Sequence, residues 1–139
     1  MDERLLLSLV RLAAAFALCA GTTSVAAAPA VPPPESVVAN RRFVGEDGAV
    51  LYHVVCQGCH MPAGEGAEGA GRYPALANNP KLAAAPYPAL TILNGRNAMP
   101  ALGAFLSDAQ VAAIVNYVRT NFGNHYGDAI SAADVAKFR

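Results

Sequence analysis

Apolar residues recur at helical spacing in two stretches of the chain. Val50, Leu51, Val54 and Val55 fall at i, i+1, i+4 and i+5, a one-sided stripe within residues 46–57 that predicts an amphipathic helix. Val111, Ile114, Val115 and Val118 repeat the period in SDAQVAAIVNYVRTNF, where Ser107 pairs with Gln110 as a capping box, Asp108 lies in the first turn, and Asn121 and Gly123 end the helix. Between the two, MPAGEGAEGAGRYPALANNP has glycines and prolines too closely spaced for a regular element. A short helix near residues 83–93 is expected to be interrupted by Pro86 and Pro88. Ser131 is a second N-cap candidate, opening about two turns of helix in the tail. No strand signal of comparable strength is present, so the expected class is all-α, and the chain shows no internal repeat.

The start of the chain follows a different pattern. Mixed charges ending at Arg11, a short apolar run from Leu12 to Ala20 and small residues in TTSVAAAPA read as a secretory signal over residues 1–28. A spanning helix needs about 20 apolar residues, and Arg11 and Gly21 to Ser24 cut this run short. Membrane attachment is therefore expected only if the signal is retained as an anchor, and the location is the periplasm. Cys19 is preceded by Leu18 rather than a small residue and is expected to leave with the signal. Residues 29–44, rich in proline and alanine, read as an extended linker, residues 45–123 as the folded domain, and residues 124–139 as a tail with a short helix.

Composition narrows the function. A chain of 139 residues, 54% of them apolar, has material for one core. Ten basic and ten acidic side chains cancel, leaving no basic stripe for phosphates, so nucleic acid is not an expected partner. With Cys19 removed, two cysteines remain, both in the pentad CQGCH at residues 56–60, which rules out a disulfide framework.

Three chemistries use two thiols and an imidazole. A structural zinc site wants four ligands in tetrahedral geometry, and His60 follows Cys59 too closely for that. A dithiol redox couple opens a helix after a strand, whereas this motif closes a helix. A c-type haem accounts for every position: Cys56 and Cys59, one helical turn apart, add to the two vinyl groups, and His60 ligates the iron. For the sixth ligand, Met61 is tied to the side of His60 and His53 belongs to the same helix. Met99 lies in the turn-rich NGRNAMPAL and is free to reach the other face, with a core gap-filling role as its alternative. His125 offers a bis-imidazole centre, but sits in a polar stretch that favours solvation.

On these residues the chain resembles the class I monohaem cytochromes c over about residues 46–123. The likeness extends to Gly48 and Tyr52, eight and four residues before the first cysteine, and to Tyr117 in IVNYVR. It implies a small cytochrome fold with the first and last helices of the domain crossing at Gly48, and Tyr52 packing there beside one covalent haem. It also implies that the Pro74 carbonyl accepts the imidazole N–H and that Leu76 packs on the ring. The tail after NFGN is similar to cytochrome c subunits or partners of bacterial periplasmic dehydrogenases. No tryptophan is present, so the family's propionate contacts do not carry over, and Arg96 and Tyr73 are only candidates for that role.

The expected function is one-electron transfer at a positive midpoint potential, with no catalysis at the metal. The donor would be a dehydrogenase and the acceptor an oxidase or another cytochrome of the respiratory chain. Two alternatives remain open at this stage: an iron with an open or labile sixth position, as in a peroxidase or gas sensor, and a structural haem subunit of a dehydrogenase complex.

Overall fold

The computed structural model describes residues 38–39 and 42–139; the expected signal and most of the expected linker lie outside the described residues. Strands β1 (Val38–Ala39) and β2 (Arg42–Phe43) form a small antiparallel ladder. Helix α1 (Gly48–Leu51) follows, begun by the Asp47 carboxylate, which accepts from the Ala49 and Val50 amides at 2.8 and 3.0 Å. The path continues through a π-helical turn (Tyr52–Cys56) into α2 (Gln57–His60), so the helical segment carries through to the histidine. In the π turn the Gln57 amide reaches back five residues to Tyr52.

The middle of the chain holds more structure than its glycine content suggests. Strands β3 (Ala67–Glu68) and β4 (Arg72–Tyr73) pair antiparallel, which corrects the all-α expectation to a mostly helical fold with a small sheet component. Strands of two residues are too short to display alternation, and this hairpin is set by its glycine turn, with the Gly69 amide on the Gly71 carbonyl at 2.8 Å. A 3-10 turn (Pro80–Ala83), capped by Asn79, leads into α3 (Pro86–Asn94). Pro86 and Pro88 start this helix rather than interrupting it, because amides in the first turn have no intrahelical acceptor to lose.

Helix α4 (Asp108–Thr120) carries the expected Ser107–Gln110 capping box, and α5 (Ala132–Ala136) has its own between Ser131 and Asp134. The core gathers Leu51 and Tyr52 with Val111, Ile114 and Val115 of α4 and Val135 of α5. Residues 124–139 contribute to it: Val135 is fully buried, and the Asn116 amide group both donates to and accepts from the Ile130 backbone at 2.9 Å. Where α1 meets α4, a β-carbon on Gly48 would lie 2.4 Å from the Ala113 carbonyl oxygen and 2.8 Å from the Tyr117 β-carbon, so only glycine admits this approach. Beside that contact Tyr52, Tyr117 and Phe122 stack, with ring centroids 4.9 to 5.6 Å apart.

Candidate functional site

The end of the π-helical turn and α2 together present Cys56, Cys59 and His60 to a cavity of about 670 Å³. Pro74 and Leu76, just after β4, and Met99, in the loop between α3 and α4, line the same cavity. Ile92, Ile114 and Val118 make part of the lining apolar. The cavity is in the size range of a cofactor site. Cys56, Cys59, His60, Pro74, Leu76 and Met99 thus meet at one place, with Arg96 and Tyr73 on the same lining; Tyr52 does not line it. Its ring stays in the aromatic cluster, and its hydroxyl donates to the Met61 carbonyl at 2.7 Å, holding the turn that follows His60. Burial, then the charges of Cys56, Glu65 and Tyr117, pushes the Tyr52 hydroxyl up to about 12, so it remains a donor at neutral pH.

His60 is buried and its Nδ1 lies 2.9 Å from the Pro74 carbonyl oxygen. A carbonyl only accepts, so Nδ1 carries the proton and Nε2 is left as the basic nitrogen. The bond is framed by backbone contacts on both strands of the turn. The Gly66 amide donates to the His60 carbonyl at 3.1 Å, and the Leu76 and Ala77 amides donate to the Gly64 carbonyl at 2.7 and 2.9 Å.

Cys56 is buried and Cys59 exposed. Burial, and secondarily the Cys59 sulfur, pushes the Cys56 thiol up to about 12.

Met99 is half-buried, and its backbone exchanges two hydrogen bonds of 3.0 Å with Arg96. His53 and His125 are exposed and Met61 is partly so, and none of the three lines the cavity. Arg72, Lys81 and Arg96 do line it, with no carboxylate among the lining residues, a balance that suits a ligand with an anionic edge. Two thiols, a basic imidazole nitrogen, a thioether and an apolar lining are together the donor set that a covalent haem requires, and the residues present fit that group.

Three side chains near the site escape a sequence reading. Arg119 is fully buried: its guanidinium donates to the Leu82 and Ala83 carbonyls at 2.8 and 2.9 Å, to Asp128 Oδ1 at 2.6 Å and to the Asp128 carbonyl. Its one available signal was position, four residues after Val115 on the apolar face of α4. Asn79 and Asn124 bond to each other and to the segment after Pro74; Asn79 before Pro80 carries the signature of a cap but no sign of these distant bonds, and Asn124 carries no local signature.

Residues 44–118 match the family model described as cytochrome c oxidase, cbb3-type, subunit III. Among curated relatives, the cytochrome c subunit of alcohol dehydrogenase (quinone) from Gluconobacter oxydans (strain 621H) is 33% identical over 72% of this chain and 23% of its own length. The fructose dehydrogenase cytochrome subunit of Gluconobacter japonicus is 36% identical over 66% of the chain and 21% of its own length. The gluconate 2-dehydrogenase cytochrome c subunit of Pantoea cypripedii is 33% identical over 73% and 26%. The chain spans about a quarter of the length of these relatives.

Proposed function

The chain belongs to the family of c-type cytochromes typified by cbb3-type cytochrome c oxidase subunit III, and from that premise we propose that it is a periplasmic one-electron carrier with His60 and Met99 as axial ligands. Haem of this family, covalently held, supplies reversible exchange between Fe(III) and Fe(II). The rest of the work falls to the polypeptide. Cys56 and Cys59 would carry the two thioether links, and the helical turn from Cys56 to Cys59 sets their spacing. His60 would ligate through Nε2, while the Pro74 carbonyl accepts its Nδ1–H, fixes the ring's orientation and raises its basicity. Met99 supplies a thioether that favours Fe(II), and Leu76, Ile92 and Ile114 exclude water, so both effects push the potential upward. Arg72, Lys81 and Arg96 are the side chains available to the propionates.

With His60 and Met99 both holding the iron, the metal would have no site for substrate, and turnover would belong to partners: a dehydrogenase as donor and a respiratory-chain component as acceptor. The names of the relatives support a dehydrogenase as donor. The contact between α1 and α4 at Gly48 supports the crossing of terminal helices implied by the cytochrome resemblance. Secretion by the signal at residues 1–28, the division into linker, domain and tail, and a single haem per chain complete the reading.

One observation carries it: the hydrogen bond between His60 Nδ1 and the Pro74 carbonyl leaves Nε2 basic on a cavity that both thiols and Met99 also line. The full chain should be produced in a host competent for covalent haem attachment. The expected product gains the mass of one haem, has a positive midpoint potential, resists cyanide and carbon monoxide, and is reduced by a quinone-dependent dehydrogenase with weak salt dependence. Colourless protein of unaltered mass would overturn the reading, and fast uptake of external ligands would move it to an open-site haem protein.

A further inference from the structure

The segment that follows Pro74 is held on both of its edges. On one side Gly64 accepts the Leu76 and Ala77 amides. On the other, the turn after α4 takes over. Asn124 donates from Nδ2 to the Leu76 carbonyl at 2.8 Å and to the Val118 carbonyl at 2.8 Å, and its Oδ1 accepts the Asn79 amide at 2.9 Å. Asn79 passes the constraint on, donating from its own Nδ2 to the Ala75 carbonyl at 2.6 Å. The Asn78 amide adds a bond to the Phe122 carbonyl at 3.0 Å. Asn124 is 2% exposed and its carboxamide spends both its donor and acceptor sides on this clamp. The Asn124–Val118 bond is buried, those to Leu76 and Asn79 are partly buried and the Asn79–Ala75 bond is exposed, and bonds that share partners in this way support one another.

We propose that Asn124 is a positioning residue for the proximal histidine: by locking residues 75–79 to the end of α4, it sets the Pro74 carbonyl at hydrogen-bonding distance from His60 Nδ1 and so tunes the iron's imidazole ligand from 64 residues away in sequence. This rests on His60 being that ligand. Loss of the clamp lets the Pro74 carbonyl drift, weakens its hold on the Nδ1 proton and lowers imidazole basicity. A less basic ligand stabilises Fe(III) less, so the equilibrium moves toward Fe(II).

The test uses the full-length holoprotein with Asn124→Ala, Asn124→Asp and, as a control, Asn116→Ala. Asn116 lies on α4 and makes two backbone hydrogen bonds to Ile130 but none to residues 74–79. In Asn124→Ala, exchange of the His60 Nδ1 proton in the ferrous protein, followed by NMR, should accelerate at least tenfold. The Fe(III)/Fe(II) equilibrium should shift up to tenfold toward Fe(II), a rise of about 59 mV for one electron. Asn124→Asp keeps the acceptor for Asn79 but sets a carboxylate oxygen against the Leu76 and Val118 carbonyls, so it should shift both readouts at least as far as Asn124→Ala. Asn116→Ala should lower stability and leave both readouts within about twofold of the parent.

Unchanged exchange and potential in Asn124→Ala, or equal shifts in the control, would reduce Asn124 to a packing role and overturn the proposal. If Asn124→Ala does not fold, Asn124→Asp and Asn79→Ser decide it, and unaltered Nδ1 exchange in both would overturn it. Failure of the underlying reading looks different: the parent itself would lack a haem-shifted His60 resonance.

Discussion

His60 and Met99 reach the same cavity from two stretches of chain that are anchored in different ways. The histidine side is stitched by partners distant in sequence. Pro74 takes the imidazole proton, Tyr52 holds Met61, and Phe122 and Asn124 grip residues 76–79 from the far end of α4. The methionine side is held mostly by near neighbours. Arg96 and Met99 bond to each other, Gly95 to Thr91, and Leu102 and Gly103 to the Ile92 and Leu93 carbonyls. Among the described residues its one long-range hydrogen-bonded tether is Arg139, whose guanidinium donates to the Gly103 and Leu106 carbonyls at 2.7 and 2.8 Å and pairs with Asp108. A ligand fixed by long-range bonds moves only when the fold moves, whereas a locally closed loop can open by itself. The sequence separation of the anchors thus predicts which of the two proposed axial bonds would be labile.

The sharpest challenge to that contrast is to delete each ligand in turn. His60→Ala should cut the yield of haem-loaded protein by at least about tenfold, since ligand and hydrogen-bonded frame are lost together. Met99→Ala should still load and fold, with a cost of about 2 kcal/mol or less for a half-buried side chain, while its midpoint potential falls and cyanide binds readily. Equal loss of loaded protein in both would break the contrast.

A matched glycine pair sharpens it. Gly66 and Gly95 sit at φ of 70° and 71°, and a β-carbon would meet the Tyr73 carbonyl oxygen at 2.4 Å in one and the Met99 carbonyl oxygen at 2.6 Å in the other. Gly66→Ala presses on a segment clamped from both sides and should cost about 1–3 kcal/mol in urea unfolding. Gly95→Ala presses on the loop that can yield, so it should cost less and instead weaken the sulfur-to-iron absorption of the ferric protein.

Arg139→Ala removes the loop's distant tether. Unfolding should shift by about 1 kcal/mol, and cyanide uptake should quicken without change at His60.

The smallest effect is set by pH. The Arg119 guanidinium beside Asp128 lowers that carboxyl below its ordinary value of 3.8. A depressed carboxyl adds stability that is complete above the ordinary value and is lost as pH falls through the lower folded one. Asp128 is exposed, so water screens most of the gain. Acid should therefore loosen residues 124–139 from α4 slightly, and Asp128→Asn should remove that acid-dependent part of the urea midpoint.

How much of this was legible from the residues follows the range of the interactions. Asp108 and the Ser107–Gln110 cap of α4 could be read directly, because a helix start is written within four residues. Pro86 and Pro88 misled, since proline breaks a helix or begins one according to its place in the first turn. The β3–β4 hairpin was missed because two-residue strands leave no alternation. Gly48 was visible through a family likeness, while its reason, the Ala113 carbonyl, belongs to another helix.

By itself, the sequence determined the local chemistry: two thiols and an imidazole on consecutive turns of helix, a methionine in a turn-rich loop, and helices whose apolar faces must pair. These depend on spacings of three or four residues, which covalent geometry converts into position without help. Only the tertiary structure decided that Arg119 is buried, that the tail joins the core, and that Asn124 reaches the segment behind His60. Each of those rests on groups tens of residues apart whose pairing is chosen by the packing of the whole chain, because a buried polar group must find its partner wherever the fold supplies one.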